Sequence, residues 1–351
     1  MSNRPFAFMA LAFAGFAAGC AGGAAAPAEP TPALANEWRF SVDEHVALWY
    51  HGLALADAGP AGSAVPYYRE GYVAEVEAAR RRIGGSTPLT TTLGSRLENS
   101  GAIDGLQFMP LYFSSFEQML QAVDVWNRAQ GDPNRASDAQ TQAVIAFLSQ
   151  RFPNATQRAA VVDFVSALQQ ERSGFFARWW PQSQPSALAA ESEALWRSLQ
   201  PDMVAFLRYT DAGGGHATLI PALRGEGRSE SGRGVAVTAI GGTSGEDARV
   251  IVGRVVHELA YTIGAEAVRD AVAPARIREI GEEVLVARAA VRAGAMVLER
   301  VAPELLDAYT ADYIRAAGGD PARTTLVRQF PLPDELVQPL RDAVQLATAG
   351  I

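Results

Sequence analysis

Apolar side chains recur every three to four residues along most of the chain between Trp38 and Tyr209. This spacing places them on one side of an α-helix, so it predicts a series of amphipathic helices. Proline, glycine and asparagine separate the helices from one another. The predicted helices span residues 67–83, 116–128, 138–151, 156–170 and 186–208, after a first helix with Ser41 as its N-cap.

The pattern changes near Asp211. Two short segments, 217–223 and 234–240, are rich in β-branched and other apolar residues and flank the polar, glycine-rich stretch RGEGRSESGRG. Short apolar segments joined by such a stretch are typical of a β-hairpin. Helical spacing then returns, and it predicts helices over residues 246–265, 275–300 and 302–316.

These elements predict a mainly helical α+β fold with a small antiparallel sheet. No linker-like segment divides the region after residue 37, so we expect a single body at residues 38–351. Within it the pattern separates a helical lobe, 38–210, from a lobe of hairpin plus helices, 211–351.

The first twenty residues, MSNRPFAFMALAFAGFAAGC, place one arginine before a short apolar stretch. This stretch is shorter than the roughly 20 residues that a membrane-spanning helix needs, so we expect a signal peptide at residues 1–19. Its Ala-Ala-Gly-Cys ending resembles a bacterial lipobox. The resemblance implies that Cys20, the single cysteine of the chain, carries lipid. An ordinary signal peptide with an incidental cysteine is the alternative.

Residues 20–37 consist mainly of alanine, proline and glycine, a composition that predicts a flexible tether. Ala21 follows the cysteine, where an aspartate would resemble an inner-membrane retention signal. The resemblance therefore implies a lipoprotein in the bacterial cell envelope, held in the outer membrane through its lipid and facing the periplasm.

The amino-acid composition of the chain excludes some classes of function. The chain has 351 residues and a net charge of −8, so no basic surface indicates nucleic-acid binding. All 30 of its cationic residues are arginine, and a single cysteine excludes a disulfide within the chain. Four histidines limit the metal sites that the chain could build.

The stretch HELAY lies in a predicted helix that follows a predicted strand. In the zinc-protease motif His-Glu-x-x-His, two histidines one helical turn apart bind zinc and the glutamate polarises the metal-bound water. Here His257 and Glu258 are present, but Tyr261 occupies the position of the second histidine. Tyrosine is a rare ligand because its phenol titrates near 10.

The segment from Asp211 to about Tyr313 resembles the gluzincin type of metallopeptidase, in which an edge strand beside the active-site helix receives extended substrate. A glutamate about twenty residues downstream supplies the third zinc ligand in that family. The resemblance implies that Glu258 is a general base and that zinc is bound by His257 and by one downstream glutamate, with Tyr261 as a substituted ligand or an oxyanion helper. The candidates for that glutamate are Glu279, Glu282 and Glu283.

Three interpretations of this helix stay open. It is an ordinary amphipathic helix, or a zincin shape that has lost hydrolysis, or a working metal site completed by Tyr261, by His216 or by a residue of the helical lobe. We therefore expect a cell-envelope lipoprotein that resembles a gluzincin with a degenerate metal site. The alternative is a non-catalytic binding or scaffold protein with a peptide or protein partner, which the aromatic cluster around Trp179 and Trp180 favours.

Overall fold

The computed structural model describes residues 37–60 and 62–349. The predicted signal peptide, the predicted tether up to residue 36 and the candidate lipidation site Cys20 lie outside the described residues. Within the described ranges the protein is mainly helical with one small sheet, which confirms the coarse fold class. No helix in this part is long and apolar enough to cross a membrane.

The first part of the fold is almost entirely helical. Its helices are α1 Glu44–Leu55, α2 Tyr72–Ile83, α3 Thr91–Ser100, α4 Ile103–Leu106, α5 Phe116–Arg128, α6 Ala139–Arg151, α7 Ala155–Glu171, α8 Ala177–Ser183, α9 Ser186–Leu199 and α10 Val204–Tyr209. A π-helical turn over Arg172–Phe176 joins α7 to α8.

The remaining elements are four strands and six helices of the described chain. The strands are β1 Trp38–Ser41, β2 Gly214–Ile220, β3 Arg228–Gly232 and β4 Val235–Gly241. The helices are α11 Ala248–Ala271, α12 Pro274–Ile280, α13 Glu282–Val301, α14 Leu306–Ala316, α15 Leu326–Gln329 and α16 Asp334–Thr348.

The sheet is mixed, and the expected antiparallel arrangement is wrong. Its strand order is β1-β2-β4-β3; β1 and β4 both run parallel to β2, and β3 runs antiparallel to β4. The difference arises because the glycine-rich stretch expected to be a turn contains β3. The chain therefore reverses direction twice, once between β2 and β3 and again between β3 and β4. The segments predicted to form a hairpin are therefore parallel neighbours, with His216 beside Val237.

Two hydrophobic cores lie on opposite faces of the sheet. Along β4, Val237 and Ala239 face the first core, which belongs to α1–α8, whereas Ala236 and Ile240 face the second. This alternation follows from the two-residue period of a strand. The second core also contains Trp38 of β1 and the helices α9 and α10, so it takes in residues from both predicted lobes. The lobe division stays a prediction.

Helix α11 runs through the second core and packs closely against α13. Gly264 makes this approach possible, because a Cβ there would lie 2.7 Å from the backbone nitrogen of Ala290. Most of α11 is buried, including its polar residues Arg254, His257 and Glu258. Each of these side chains therefore depends on protein groups for its polar contacts.

Arg254 ties α11 to two neighbouring elements. Its Nε and Nη2 donate to the carboxylate of Asp312 on α14 at 3.0 and 3.1 Å, and Nη1 donates to the carbonyl of Gly241 at 2.9 Å. Nη2 also donates to Glu246 at 3.0 Å. The guanidinium is 2 % exposed, so a buried charge is neutralised by a nearly complete set of partners.

We expect Arg254→Met to lower the free energy of unfolding by about 3 to 5 kcal/mol, because it leaves the carboxylate of Asp312 buried without its main partner. Urea denaturation at neutral pH measures this loss. Arg249→Met is the matched control on the same helix, since Arg249 is exposed and pairs with Asp247 alone. If the two substitutions lowered the free energy of unfolding equally, the stabilising role of the buried Arg254 contacts would be contradicted.

Candidate active site and ligand cavity

A cavity of about 310 Å³ lies between the two parts of the fold, beside the beginning of β3. The first part contributes the loop around Gly62, the helix α4 and the residues that follow it. The start of β3, the middle of α11 and the first turn of α13 form the other walls. The residues used below are Gly62, Asp104, Gln107, Phe108, Glu226, Arg228, Glu258, Tyr261 and Glu283.

Glu258 lies at the inner end of this cavity and is 7 % exposed. Its Oε1 accepts a hydrogen bond of 2.7 Å from the backbone N–H of Gly227. Gly227 is required there, because a side chain would collide with the carbonyl of Ala239. Burial raises the pKa of Glu258 to about 7, although Arg228 and the Gly227 N–H act in the opposite direction. The carboxyl group is therefore poised to exchange a proton near neutral pH.

Arg228 forms one wall of the cavity. Its Nε donates to Gln107 Oε1 and its Nη1 to the carbonyl of Gly227, both at 2.5 Å. The guanidinium also lies over the rings of Tyr67 and Phe108, 4.7 and 5.7 Å from their centroids. Aromatic faces and neutral oxygens hold this cation, and no carboxylate of the described chain lies within 4.0 Å of its nitrogens.

Glu226 is a second buried acid in the cavity and is 5 % exposed. Its Oε1 accepts a hydrogen bond of 2.7 Å from the N–H of Ala64, which fixes the loop that follows Gly62. Burial raises the pKa of this carboxyl as well. Nearby, the hydroxyl of Tyr67 is buried without a hydrogen-bond partner among the described residues.

His257 lies behind Glu258, with its Nε2 3.7 Å from Glu258 Oε1. The hydroxyl of Tyr309 donates to the carbonyl of Val291, so it can only accept from the Nδ1 of His257, at 3.4 Å. This assigns the proton to Nδ1 and leaves a lone pair on Nε2. Nε2 is buried and has no hydrogen-bond partner in the described chain. Burial lowers the pKa of His257 to about 3, so its ring is neutral.

The structure brings some of the predicted site residues together and separates others. Tyr261 lines the cavity and is 37 % exposed; burial raises its pKa to about 12, so the phenol keeps its proton at neutral pH. Glu283 also lines the cavity, where Gly62, with a φ of 80°, packs directly on its side chain.

The other two glutamates lie outside the cavity. Glu279, on α12, is exposed and forms an ion pair of 2.7 Å with Arg276 on the same helix. Glu282 is exposed at the beginning of α13.

The residues implied as zinc ligands do not, as arranged here, form a ligand set. His257 and Glu283 belong to the same region, but within residues 37–60 and 62–349 no group of three or more His, Cys, Asp or Glu side chains could hold a metal ion. Zinc proteins use at least three such ligands. Tyr261 keeps its proton and cannot readily replace the missing histidine. Zinc binding stays a prediction, and no chemical step is derived through it.

His216 does not join the cavity. It lies on β2, where its Nε2 is 2.6 Å from Ser41 Oγ and 3.3 Å from Asp43 Oδ2. Ser41 is the last residue of β1 and α1 begins at Glu44 with Asp43 in the N-cap position, so the expected cap at Ser41 is wrong. The cluster that contains Trp179 and Trp180 is buried in the first core.

Sequence reasoning missed Asp104, Gln107, Glu226 and Arg228. The last two belong to the glycine-rich stretch that was interpreted as a turn. One signal could have located them: a glycine on each side of Glu226 indicates backbone packed closely against its surroundings. The structure confirms that closeness, since a Cβ on Gly225 would lie 2.9 Å from Val65.

The chain matches no protein-family model, and neither a curated protein nor a solved structure matches it significantly. The resemblance to gluzincins therefore depends on the motif residues alone.

Glu258→Gln is expected to change how stability depends on pH. The folded pKa of about 7 exceeds the ordinary value of 4.5, so the protonated acid stabilises the fold below about pH 4.5. That contribution, on the order of 3 kcal/mol, is lost as the pH rises through 7. Glutamine does not ionise. The free energy of unfolding of the variant, relative to that of the natural protein, should therefore rise by up to this amount from acidic to mildly alkaline pH. Urea denaturation across that range tests this, and parallel curves for the two proteins would contradict it.

Proposed function

We propose that this protein is a lipid-anchored protein of the bacterial cell envelope whose cavity at Glu258 binds an extended peptide segment of a partner without metal-dependent hydrolysis. The observation that carries the proposal is the cavity itself. It opens beside β3, an edge strand of the sheet, and holds a buried carboxyl group at its inner end.

An edge strand beside a cavity supports peptide binding on physical grounds. Edge strands can pair with an added extended segment through main-chain hydrogen bonds, and an adjacent pocket then selects one of its side chains. A volume of about 310 Å³ lies at the small end of ligand pockets. That size suits one side chain of a bound peptide better than a whole cofactor.

Binding is favoured over cleavage by the state of the motif. The carboxyl of Glu258 is held by the N–H of Gly227, and Tyr261 offers a protonated phenol where the motif requires an imidazole. The arrangement can therefore donate and accept hydrogen bonds, which recognition requires. This supports a zincin-like shape that retains a substrate groove.

The envelope location is supported by sequence alone, through the lipobox-like ending at Cys20 and the tether that follows. If the assignment is correct, cells that express the protein with labelled palmitate should incorporate label into it, and Cys20→Ser should abolish incorporation. Label retained by the variant would exclude Cys20 as the lipid site.

A zinc-dependent peptidase is the second candidate function. One observation favours it: the lone pair of His257 Nε2 is buried, without a partner in the described chain, and 3.7 Å from Glu258 Oε1. An imidazole nitrogen in that state is available to a metal ion.

Two measurements on the purified protein separate the candidates. Zinc per chain is measured after incubation with excess zinc, beside His257→Ala, and an array of unstructured pentapeptides is tested for binding and for cleavage. We expect less than stoichiometric zinc, binding of a subset of peptides and no cleavage. About one zinc per chain that is lost in His257→Ala, with cleavage of bound peptides, would overturn the proposal in favour of the peptidase. Absence of binding to every peptide would also overturn it.

A further inference from the structure

We propose that the cavity receives a cationic side chain, an arginine guanidinium or a lysine ammonium, from the bound segment. This specifies the ligand class of the peptide-binding function and rests on it. The inference comes from the charges that line the cavity and from what those charges contact.

Four acidic side chains line the cavity: Asp104, Glu226, Glu258 and Glu283. They come from three helices and from the loop before β3. In the described chain, none of the four has an arginine nitrogen within 4.0 Å, and the one ion-pair contact among them is that of Glu258 with neutral His257. By contrast, Asp312 and Glu246 are both paired with Arg254.

Arg228 is the cation of the cavity, but it is directed to other partners. Its Nε and Nη1 are engaged by Gln107 and by the Gly227 carbonyl, and its face lies on Tyr67 and Phe108. These contacts hold the guanidinium in the wall, so it does not neutralise the acids by direct contact. Within the described chain, the four acids are therefore left without an arginine in direct contact.

Two unpartnered polar atoms give an independent indication of a ligand. The lone pair of His257 Nε2 lies 3.7 Å from Glu258 Oε1, and the ring is 1 % exposed. The hydroxyl of Tyr67, beneath the guanidinium of Arg228, also has no hydrogen-bond partner in the described chain, and Tyr67 is 7 % exposed. Buried polar atoms without partners are rare in folded proteins. Each of these atoms lies next to a residue that lines the cavity, Glu258 or Arg228.

Organic cations fit the cavity better than metal ions. Among the described residues, no three of these acids form a group that could hold one metal ion. They instead surround a space of about 310 Å³, which accommodates the several donors of an ammonium or guanidinium group at separate carboxylates.

The test measures binding of three pentapeptides to the full-length protein by calorimetry. Each has acetylated and amidated ends and alanine at four positions, with arginine, citrulline or glutamate at the centre. Citrulline matches the shape of arginine but is neutral. We expect the arginine peptide to bind about tenfold or more tightly than the citrulline peptide, and the glutamate peptide to bind most weakly.

Variants then locate the site. Asp104→Asn, at an exposed position on α4, and Glu226→Gln, which keeps the oxygen that accepts from Ala64, should each reduce the preference for arginine over citrulline severalfold. Asp202→Asn, which removes an exposed acid outside the cavity lining, should leave that preference unchanged. A preference that survives both cavity variants would overturn the assignment.

The outcomes of these experiments distinguish an error in this inference from an error in the proposed peptide binding. If the three peptides bind equally well, the cavity does not select a cation, and the inference is overturned while peptide binding stands. If none of the three peptides binds while the array identifies others without basic residues, the inference is again overturned alone. If neither the array nor the three peptides bind, both proposals are overturned.

Discussion

A helix that is buried along most of its length can satisfy its polar side chains with protein groups alone. Helix α11 carries three such residues within two turns: Arg254, His257 and Glu258. Desolvation of each is costly unless partners are supplied, and the fold supplies them from different directions. Helix α14 supplies both Asp312 and Tyr309, and the chain at the edge of the sheet supplies the backbone N–H of Gly227. The positions of α14 and of the beginning of β3 thus follow from the requirements of one helix.

These three residues differ in how completely they are satisfied. Arg254 has carboxylate and carbonyl partners on all of its nitrogens. Glu258 has one N–H for two oxygens, and His257 has a partner on one ring nitrogen alone. Of these three side chains, His257 is the one with a fully buried polar atom, Nε2, that has no partner in the described chain.

The helical part of the fold could be predicted in part: three helices were located closely, whereas α3, α4 and α8 were not predicted and the segment 186–208 is divided into α9 and α10. The predicted helix at 116–128 matches α5, 138–151 differs from α6 by one residue at one end, and 156–170 differs from α7 by one residue at each end. Each helix is preceded by an N-cap residue, Ser115, Asp138 or Asn154, whose side chain accepts a hydrogen bond from the helix backbone. The strands of the sheet were harder to predict than the helices. β1 is four residues long and β3 is polar, RSESG, so neither has the apolar signature of a strand. β3 pairs with β4 across the two-residue turn Arg233-Gly234, in which both residues have a positive φ, but its polar side chains lack the apolar pattern that marks a strand.

The candidate site was half predictable for a similar reason. Glu258, Tyr261 and Glu283 belong to strongly helical segments, so their approximate positions followed from helix spacing. Asp104 lies on the short helix α4 and Gln107 directly follows it, more than 150 residues before Glu258 in the chain, so their meeting depends on how the two cores pack on the sheet. The glutamates at 279, 282 and 283 could not be distinguished in sequence. Gly281 ends α12 with a φ of 95°, and the change of direction there leaves Glu283, not Glu279, against the cavity.

The strand order has a consequence for how the molecule is held. β1 begins at Trp38, whose ring packs 4.6 Å from that of Trp196, so the chain enters the body at a fixed point on one edge of the sheet. The cavity lies beside β3, on the opposite edge. Three interstrand spacings, about 14 Å, separate the two edges. If the protein is anchored through its N-terminus as proposed, tension on the chain at Trp38 would act on the short β1 and its tryptophan pair rather than on the walls around Glu258.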